Sequence, residues 1–362
     1  MPAPFLHIDM LPATYGDCLW VEYGRGQDLE RILIDGGPIA TYPHLRERID
    51  ALPDGDKGIE LVVLTHVDAD HIEGLIRLFA DKPLPFRPRR VWFNGWRQMR
   101  DARTLGALQG EFLSALLVRR VSAAAWSPEA PPWMIPDEGA LPVHTLAGGM
   151  RLTLLSPDAN KLERMAAAWE KQIKGFEPGD LDAAWEALGR RRSFLPDDGL
   201  LGTHPDLDAL LDAQFTKDRA AANGSSIAFL AEFEGKSALF LADAHPDLIH
   251  DSLVRLCEAR GVDRLRVDAV KISHHGSRNN TSEAMLRLID SPRYLISTNG
   301  DRFDHPDEEC LARIIEFGKP ESLHFNYDSD FTRPWTTRSA QQRYGYVAHV
   351  RADDEAALRV SL

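Results

Sequence analysis

The stretch Leu61–His71, LVVLTHVDADH, decides how this chain is read. Leu61–Leu64 is wholly apolar and rich in branched side chains, the composition of a strand buried on both faces. Thr65, His66, Val67, Asp68, Ala69, Asp70 and His71 follow directly, so four side chains able to bind metal crowd the carboxyl end of that strand. Ile72, Leu75, Ile76 and Phe79 then keep i, i+3, i+4, i+7 spacing, which predicts a helix packed back on the sheet. A strand-to-helix loop cannot turn all four polar groups away from one another, and cations best relieve their mutual charge and desolvation cost. A solvated acidic turn accounts for a lone His-x-Asp; His-x-Asp-x-Asp-His at such a junction points to metal.

Outward from this stretch, the chain has 362 residues, 44% hydrophobic and 27% charged, which is ordinary soluble globular material with ample core. The length allows two domains or one α/β unit; the reading adopted is a single domain over residues 1–362, with insertions at about 81–140 and 159–222. A net charge of −13 argues against a non-specific nucleic-acid coat, though not against one basic groove. Cys18, Cys257 and Cys310 are far apart and form no CxxC, so they are read as small buried hydrophobes in a reducing compartment. The opening MPAPFLHIDML has no basic, then long apolar, leader pattern, and there is no apolar run of membrane-spanning length. The expectation is a cytoplasmic protein with no membrane association; a protein partner is left open.

Phe5–Met10, Cys18–Tyr23 and Arg31–Ile34 read as strands separated by Gly16-Asp17 and Gly24-Arg25-Gly26. Asp35-Gly36-Gly37 ends the third, with Asp35 a turn carboxylate or one supporting a ligand from behind. A helix is expected over His44–Leu52, with His44 facing solvent. Between Arg87 and Arg103, arginines interleave with Trp92, Phe93 and Trp96, a pattern that can grip phosphates and stack bases. The plainer reading, a strand over Val91–Asn94 beside solvated arginines, is preferred because the run is short and the protein acidic. Ala123–Pro136 reads as a loop or lid. Strands are expected at Leu141–His144 and Met150–Leu155, then helices over Leu162–Ile173, Leu181–Arg192 and Leu207–Phe215. The triplet Arg190–Arg192 reads as a solvated helix end. His144 and His204 have no spaced partners and are set aside.

In the second half, Ile227–Phe233 and Lys236–Ala242 read as strands, the latter ending at Asp243, a carboxylate costly to bury unless it faces a cation or donors. His245, two residues on, suits a ligand or a surface loop equally well. Asp268–Ser273 is another buried strand, ending in His274-His275. On an extended backbone these two point to opposite sides, so one binds metal and the other supports it or carries a proton. Tyr294–Thr298 leads through Asn299 to His305-Pro306, where Pro306 is expected to start a helix closed by Gly318. Strand after strand thus ends in a ligand-type residue, as sites in α/β sheets do.

On these residues the chain resembles the metallo-β-lactamase superfamily. His66-x-Asp68-x-Asp70-His71 resembles its HxHxDH motif with aspartate at the second position. Asp243 in FLADA matches the later bridging aspartate, and His274 or His275 in SHHGS the final histidine. Asn223-x-x-Ser226, HHGS, and Asn299 through His305-Pro306 resemble one branch, the metallo-hydrolase domain of ComEC-type DNA-uptake proteins and their soluble relatives. The resemblance implies an α/β fold, an αββα sandwich of two mixed sheets flanked by helices, with a dinuclear site at one edge. It implies one metal held by His66, Asp68, Asp243 and Asn223, where Asn223 replaces the usual histidine, and another held by Asp70, His71, Asp243 and one of His274/His275. Fewer imidazoles at the first site favour Mn²⁺ or Mg²⁺ more than a three-histidine zinc site does.

The function so implied is metal-dependent hydrolysis by a hydroxide activated between two divalent ions (Zn²⁺ or Mn²⁺, with Mg²⁺ admitted). Candidate catalytic residues are Asp70 and, as proton carriers, His275 and His305. A phosphodiester substrate, nucleic acid foremost, is the first reading. A small-molecule ester or lactone is the second, supported by the acidic charge. A metal-stabilised regulatory module, with Asn223 marking lost activity, is the third.

Overall fold

The computed structural model describes residues 2–99, 108–172, 179–188 and 215–362. Its frame is two mixed sheets packed face to face. In the first, the spatial order is Leu358–Ser361, Pro4–Met10, Leu19–Arg25, Asp28–Ile34, Leu61–Val63 and Val91–Trp92. Pairing is antiparallel up to Asp28–Ile34 and parallel beyond it. In the second, the order is Val347–Val350, Ser322–Phe325, Arg293–Ile296, Ala269–Lys271, Lys236–Phe240, Ala228–Phe233, Arg151–Ser156 and Val143–Thr145. Here pairing is parallel as far as Lys236–Phe240 and antiparallel after it.

The period-2 alternation of side chains explains why the strand Leu61–Val63 carries no polar face. Leu61 and Val63 enter the core between the sheets, whereas Val62 and Leu64 enter a second core under the outer helices. Ile32 and Ile34 on one side of Leu33, and Val21 beside Trp20, divide in the same way. Helices Tyr42–Asp50, Ala69–Phe79 and Leu108–Arg120 cover the first sheet. Pro246–Arg260 lies against the second, where Ser252 Oγ donates to Leu155 O (2.7 Å). The architecture is therefore the αββα sandwich expected.

Several local expectations differ. The strand expected over Val91–Asn94 is present as Val91–Trp92 and joins the first sheet, so this part of the segment 81–140 belongs to the frame. Ala123–Pro136 is a packed loop, not a lid: Trp126 is buried and donates to Phe93 O (3.2 Å), and Trp133 stacks on Trp92 at 4.5 Å. Pro306 does not start a helix; the helix runs Glu308–Arg313 with Asp307 at its N-cap and continues as Ile314–Gly318. His204, Arg190–Arg192, and all of the expected helix Leu207–Phe215 except Phe215 itself lie outside the described residues. No described helix is long and apolar enough to cross a membrane. All three cysteines are free and buried.

Candidate metal centre

Asp35 organises the first half of the site. It takes a left-handed backbone (φ 59°) at the end of its strand, and its carboxylate then meets three donors. Thr65 N donates to Oδ1 (2.8 Å), while Thr65 Oγ1 and His71 Nδ1 both donate to Oδ2 (2.8 Å each). Because the Thr65 hydroxyl proton is committed to Asp35, its oxygen accepts from His66 Nδ1 (3.1 Å). One carboxylate thereby sets the tautomer of two histidines, leaving Nε2 of each as a lone pair. The approach requires glycine: a Cβ on Gly36 would lie 2.4 Å from Leu75 N, and one on Gly74 would lie 2.0 Å from Gly36 O.

The second half corrects the expectation for His274 and His275. Their backbone is not extended; both are left-handed (φ 46° and 54°), so the two rings turn to the same side and neither points away. His275 Nδ1 donates to Ser297 O (3.1 Å) and His274 Nδ1 to Asn280 Oδ1 (2.9 Å). The Asn280 amide orientation follows from its Nδ2, which donates to Asp218 Oδ2 (3.0 Å) and Asp243 O (3.1 Å).

All four inner nitrogens converge on one oxygen. Asp243 Oδ2 lies 3.7 Å from His66 Nε2, 3.4 Å from His71 Nε2, 3.7 Å from His274 Nε2 and 3.7 Å from His275 Nε2. Asp70 Oδ2 is 3.4 Å from His275 Nε2, and Asp68 Oδ2 is 3.7 Å from His66 Nε2. Asp68 is the open edge, its side chain 46% exposed, while Asp70 and Asp243 are buried. Among the described residues, two groups have donor spacing suited to an ion: His66, His71 and Asp243, and Asp70, His71 and His275.

Every histidine here spends its outer N–H on an outward acceptor, so lone pairs and carboxylates face each other inside. His71 Nε2 and His275 Nε2 stand 3.2 Å apart, and His66 Nε2 and Asp243 Oδ1 are buried without any hydrogen-bond partner. Such an all-acceptor interior demands positive charge. In the protein alone, protons answer that demand. Burial opposes a charge on His275, but the Asp243 and Asp17 carboxylates push its pKa up to about 9. His71 rises well above its ordinary value because Asp243 and Asp35 outweigh burial. Burial also pushes against the charge of Asp70, yet His275 and His71 hold its carboxyl down at about 2. His66, buried and beside His71, falls to about 4. Asp68 moves up to about 6 through desolvation and then the charge of Asp70. A divalent cation replaces those protons with a stronger match, and the donor set fits one.

Other sequence candidates are placed around this centre. Asn223 Nδ2 donates to Asp218 Oδ2 (2.7 Å) and sits 3.4 Å from His274 Nδ1, behind that ring; its Oδ1 is buried without a partner. His305 stacks edge-on to His274 at 5.4 Å, with Nδ1 3.5 Å from Asp307 Oδ2. His245 is outside the cluster, held between Lys161 Nζ (2.9 Å) and Ala220 O (2.9 Å). His144 packs between Trp92 and Trp133. Two of the arginine segment's three aromatics cannot stack a base: Trp92 and Phe93 are fully buried, while Trp96 is half-buried; Arg89 pairs with Glu30, and Arg97 binds Gly179 O. Arg100 and Arg103 lie outside the described residues.

Sequence reading missed Asp218, Asn280 and the buried pair Asp17–Lys271. Asp218 sits in a stretch without a motif, and nothing local marks it. Lys271 did carry a signal, a charge inside the apolar strand DAVKIS, which needs a partner. Its Nζ reaches Asp17 Oδ2 (2.7 Å), and Asp17 Oδ1 in turn stands 3.6 Å from His275 Nδ1.

No family model and no curated protein matches this chain. Among solved structures, it is similar to the metallo-β-lactamase fold protein YhfI from Bacillus subtilis. That match covers 99% of this chain and 100% of YhfI, at 9% identity and TM-score 0.42. CmlA, a diiron β-hydroxylase from Streptomyces venezuelae, matches at 14% identity and TM-score 0.37, covering 100% of this chain but only 54% of CmlA. A Cronobacter sakazakii metallo-β-lactamase with a HARLDQ motif covers 73% of this chain and 77% of its own, at 17% identity and TM-score 0.28. The fold and the metal centre described here rest on this chain's own sheet order and donor set.

Proposed function

We propose that the chain is a metal-dependent hydrolase of the metallo-β-lactamase type, acting on phosphodiesters. The observation that carries this reading is the convergence of four imidazole lone pairs on Asp243 Oδ2, with Asp70 and Asp68 beside them. His66, His71, Asp70, Asp243, His274 and His275 would hold the metal, with Asp68 at the open edge. Four imidazoles make the donor set less oxygen-rich than the motif alone implied, which suits Zn²⁺ and Mn²⁺ better than Mg²⁺. Bound divalent metal supplies Lewis acidity and lowers the pKa of water.

The chain's own groups do the rest. Asp35, Ser297 and Asn280 hold the rings against rotation through their Nδ1 atoms. Water adds to phosphorus and releases a proton to solvent, the bond to the leaving oxygen breaks, and that oxygen takes a proton. His305 is the candidate donor: its ring stands at the rim of the cluster, 5.4 Å from that of His274, with Nδ1 3.5 Å from Asp307 Oδ2. His274 and His275, both turned into the cluster, bind rather than shuttle protons.

A metal-by-substrate screen tests this. Purified protein with Zn²⁺, Mn²⁺ or Mg²⁺ is offered single- and double-stranded nucleic acid, a generic phosphodiester, a lactone and a simple ester. Diester turnover is expected, abolished in Asp243→Ala and Asp70→Ala while circular dichroism stays native. Turnover of the ester or lactone alone would replace the substrate assignment. Full metal binding without turnover of anything would leave the regulatory module instead.

A further inference from the structure

Next to the metal centre, two loops form a ledge that the hydrolytic chemistry leaves unused. Tyr15 and Phe303 meet edge to face at 6.2 Å, and the Arg302 guanidinium lies 5.2 Å from the Tyr15 ring and 5.1 Å from the Phe303 ring. The Phe303 ring is 6.1 Å from that of His305, which in turn is 5.4 Å from that of His274. The ledge therefore starts one ring away from a cluster histidine.

Three features mark it as more than loop surface. Phe303 is 41% exposed and meets the half-buried Tyr15, so the two rings present one aromatic surface at the rim of the cluster. Arg302 has no carboxylate within ion-pairing distance among the described residues, its Nη1 donating only to the Tyr15 hydroxyl (3.5 Å), in a protein of net charge −13 where Arg278 and Arg333 are paired. Finally, both loops are tied to the metal centre. Asp17 N donates to Asp70 O (3.2 Å), Asn299 N to Thr14 O (2.8 Å), Ser297 Oγ to Gly16 O (2.9 Å) and Asp307 N to Gly276 O (3.0 Å). The rings thus keep a set position relative to the cluster.

We propose that Tyr15, Arg302 and Phe303 form a subsite that stacks one unpaired nucleobase and neutralises the phosphate next to it. The substrate is then a nucleotidyl phosphodiester reached as a single strand. This deepens, and for its kinetic arm rests on, the phosphodiesterase reading above. The half-exposed Phe303 and the Arg302 guanidinium, which lies over both rings without a carboxylate partner among the described residues, form one planar aromatic–guanidinium platform that offers a base a stacking surface and its phosphate a positive charge. A duplex keeps its bases stacked on each other and cannot use the ring.

Two measurements test it. In the first, kcat/KM is compared for thymidine 5′-(p-nitrophenyl phosphate), its uridine counterpart and base-free methyl p-nitrophenyl phosphate. Phe303→Ala is expected to cut the nucleotidyl-to-methyl ratio about tenfold, mainly through KM, with Phe303→Trp restoring it. The thymidine and uridine arms separate DNA from RNA as the source. In the second, metal-free protein is titrated with a fluorescent ten-nucleotide single strand and with its abasic equivalent. Wild type is expected to prefer the base-bearing strand, Phe303→Ala to lose that preference, and Arg302→Ala to weaken both and flatten the salt dependence by about 0.7 in log–log slope. An unchanged ratio and an unchanged strand preference in Phe303→Ala overturn the subsite. If no diester is cleaved at all, the phosphodiesterase reading falls, and the binding titration alone decides the ledge.

Discussion

Asp35 illustrates how a residue that touches no substrate governs a site. Its carboxylate orders His71 directly and His66 through Thr65, so both present Nε2 as lone pairs. Asp35→Asn keeps the shape but turns one oxygen into a donor, which opposes the Nδ1–H of His71. The expected outcome is a fold-preserving loss of metal affinity of roughly ten- to a hundredfold, measured by competition with a chelating dye. An affinity within twofold of wild type would show that the imidazoles are oriented by something else. At this scale the sequence was readable where ligands cluster in one motif. His66, Asp68, Asp70 and His71 announce themselves. Asp218 and Asn280 do not, because their roles exist only once His274 has been brought to them from a distant strand.

Among the elements, the helix Ala69–Phe79 matters most, because its first turn carries Asp70 and His71. Its approach to the turn after Asp35 is backbone against backbone: Gly36 N donates to His71 O (2.8 Å) and Gly74 N to Gly37 O (2.9 Å). A methyl group at residue 74 has nowhere to go. Gly74→Ala should destabilise the protein by about 3 kcal/mol in urea unfolding and release the metal, whereas Gly55→Ala, with nothing near its Cβ, should stay within about 0.5 kcal/mol. Equal effects at the two positions would deny the close contact. The helix itself was legible from apolar spacing. The His274–His275 turn was not: strand logic expected rings on opposite sides, and left-handed backbone put them on the same side. Pro306 misled in the same way, since a proline favours a helix start without requiring one.

Taken whole, the molecule has a pH response that does not pass through the metal centre. His324 sits on a strand of the second sheet opposite His349, their rings stacked at 4.6 Å. Burial, then the charges of His349 and Arg293, lower its pKa from 6.5 to about 4. The unfolded chain therefore binds this proton more readily than the native state. The contribution to stability is fully present above pH 6.5 and is lost as pH falls from there towards 4. The size is on the order of 3 kcal/mol by linkage. In His324→Gln the acid limb of a urea-midpoint profile, recorded with chelator present, should flatten between pH 6.5 and 4. A limb as steep as that of wild type would place the acid sensitivity elsewhere.

What the sequence determined by itself was the alternation of buried strands and amphipathic helices, the ligand motif after Leu61–Leu64, and the habit of later strands to end in Asp243 or His274-His275. These are local matters, governed by periodicity and by the cost of burying charge. Only the tertiary structure decided which carboxylate stands behind which imidazole, that Lys271 answers Asp17, and that Arg302 and Phe303 lie beside the metal centre. Those contacts join segments up to hundreds of residues apart, and no local spacing encodes them. They arise when the two sheets pack and bring their strand ends to one edge.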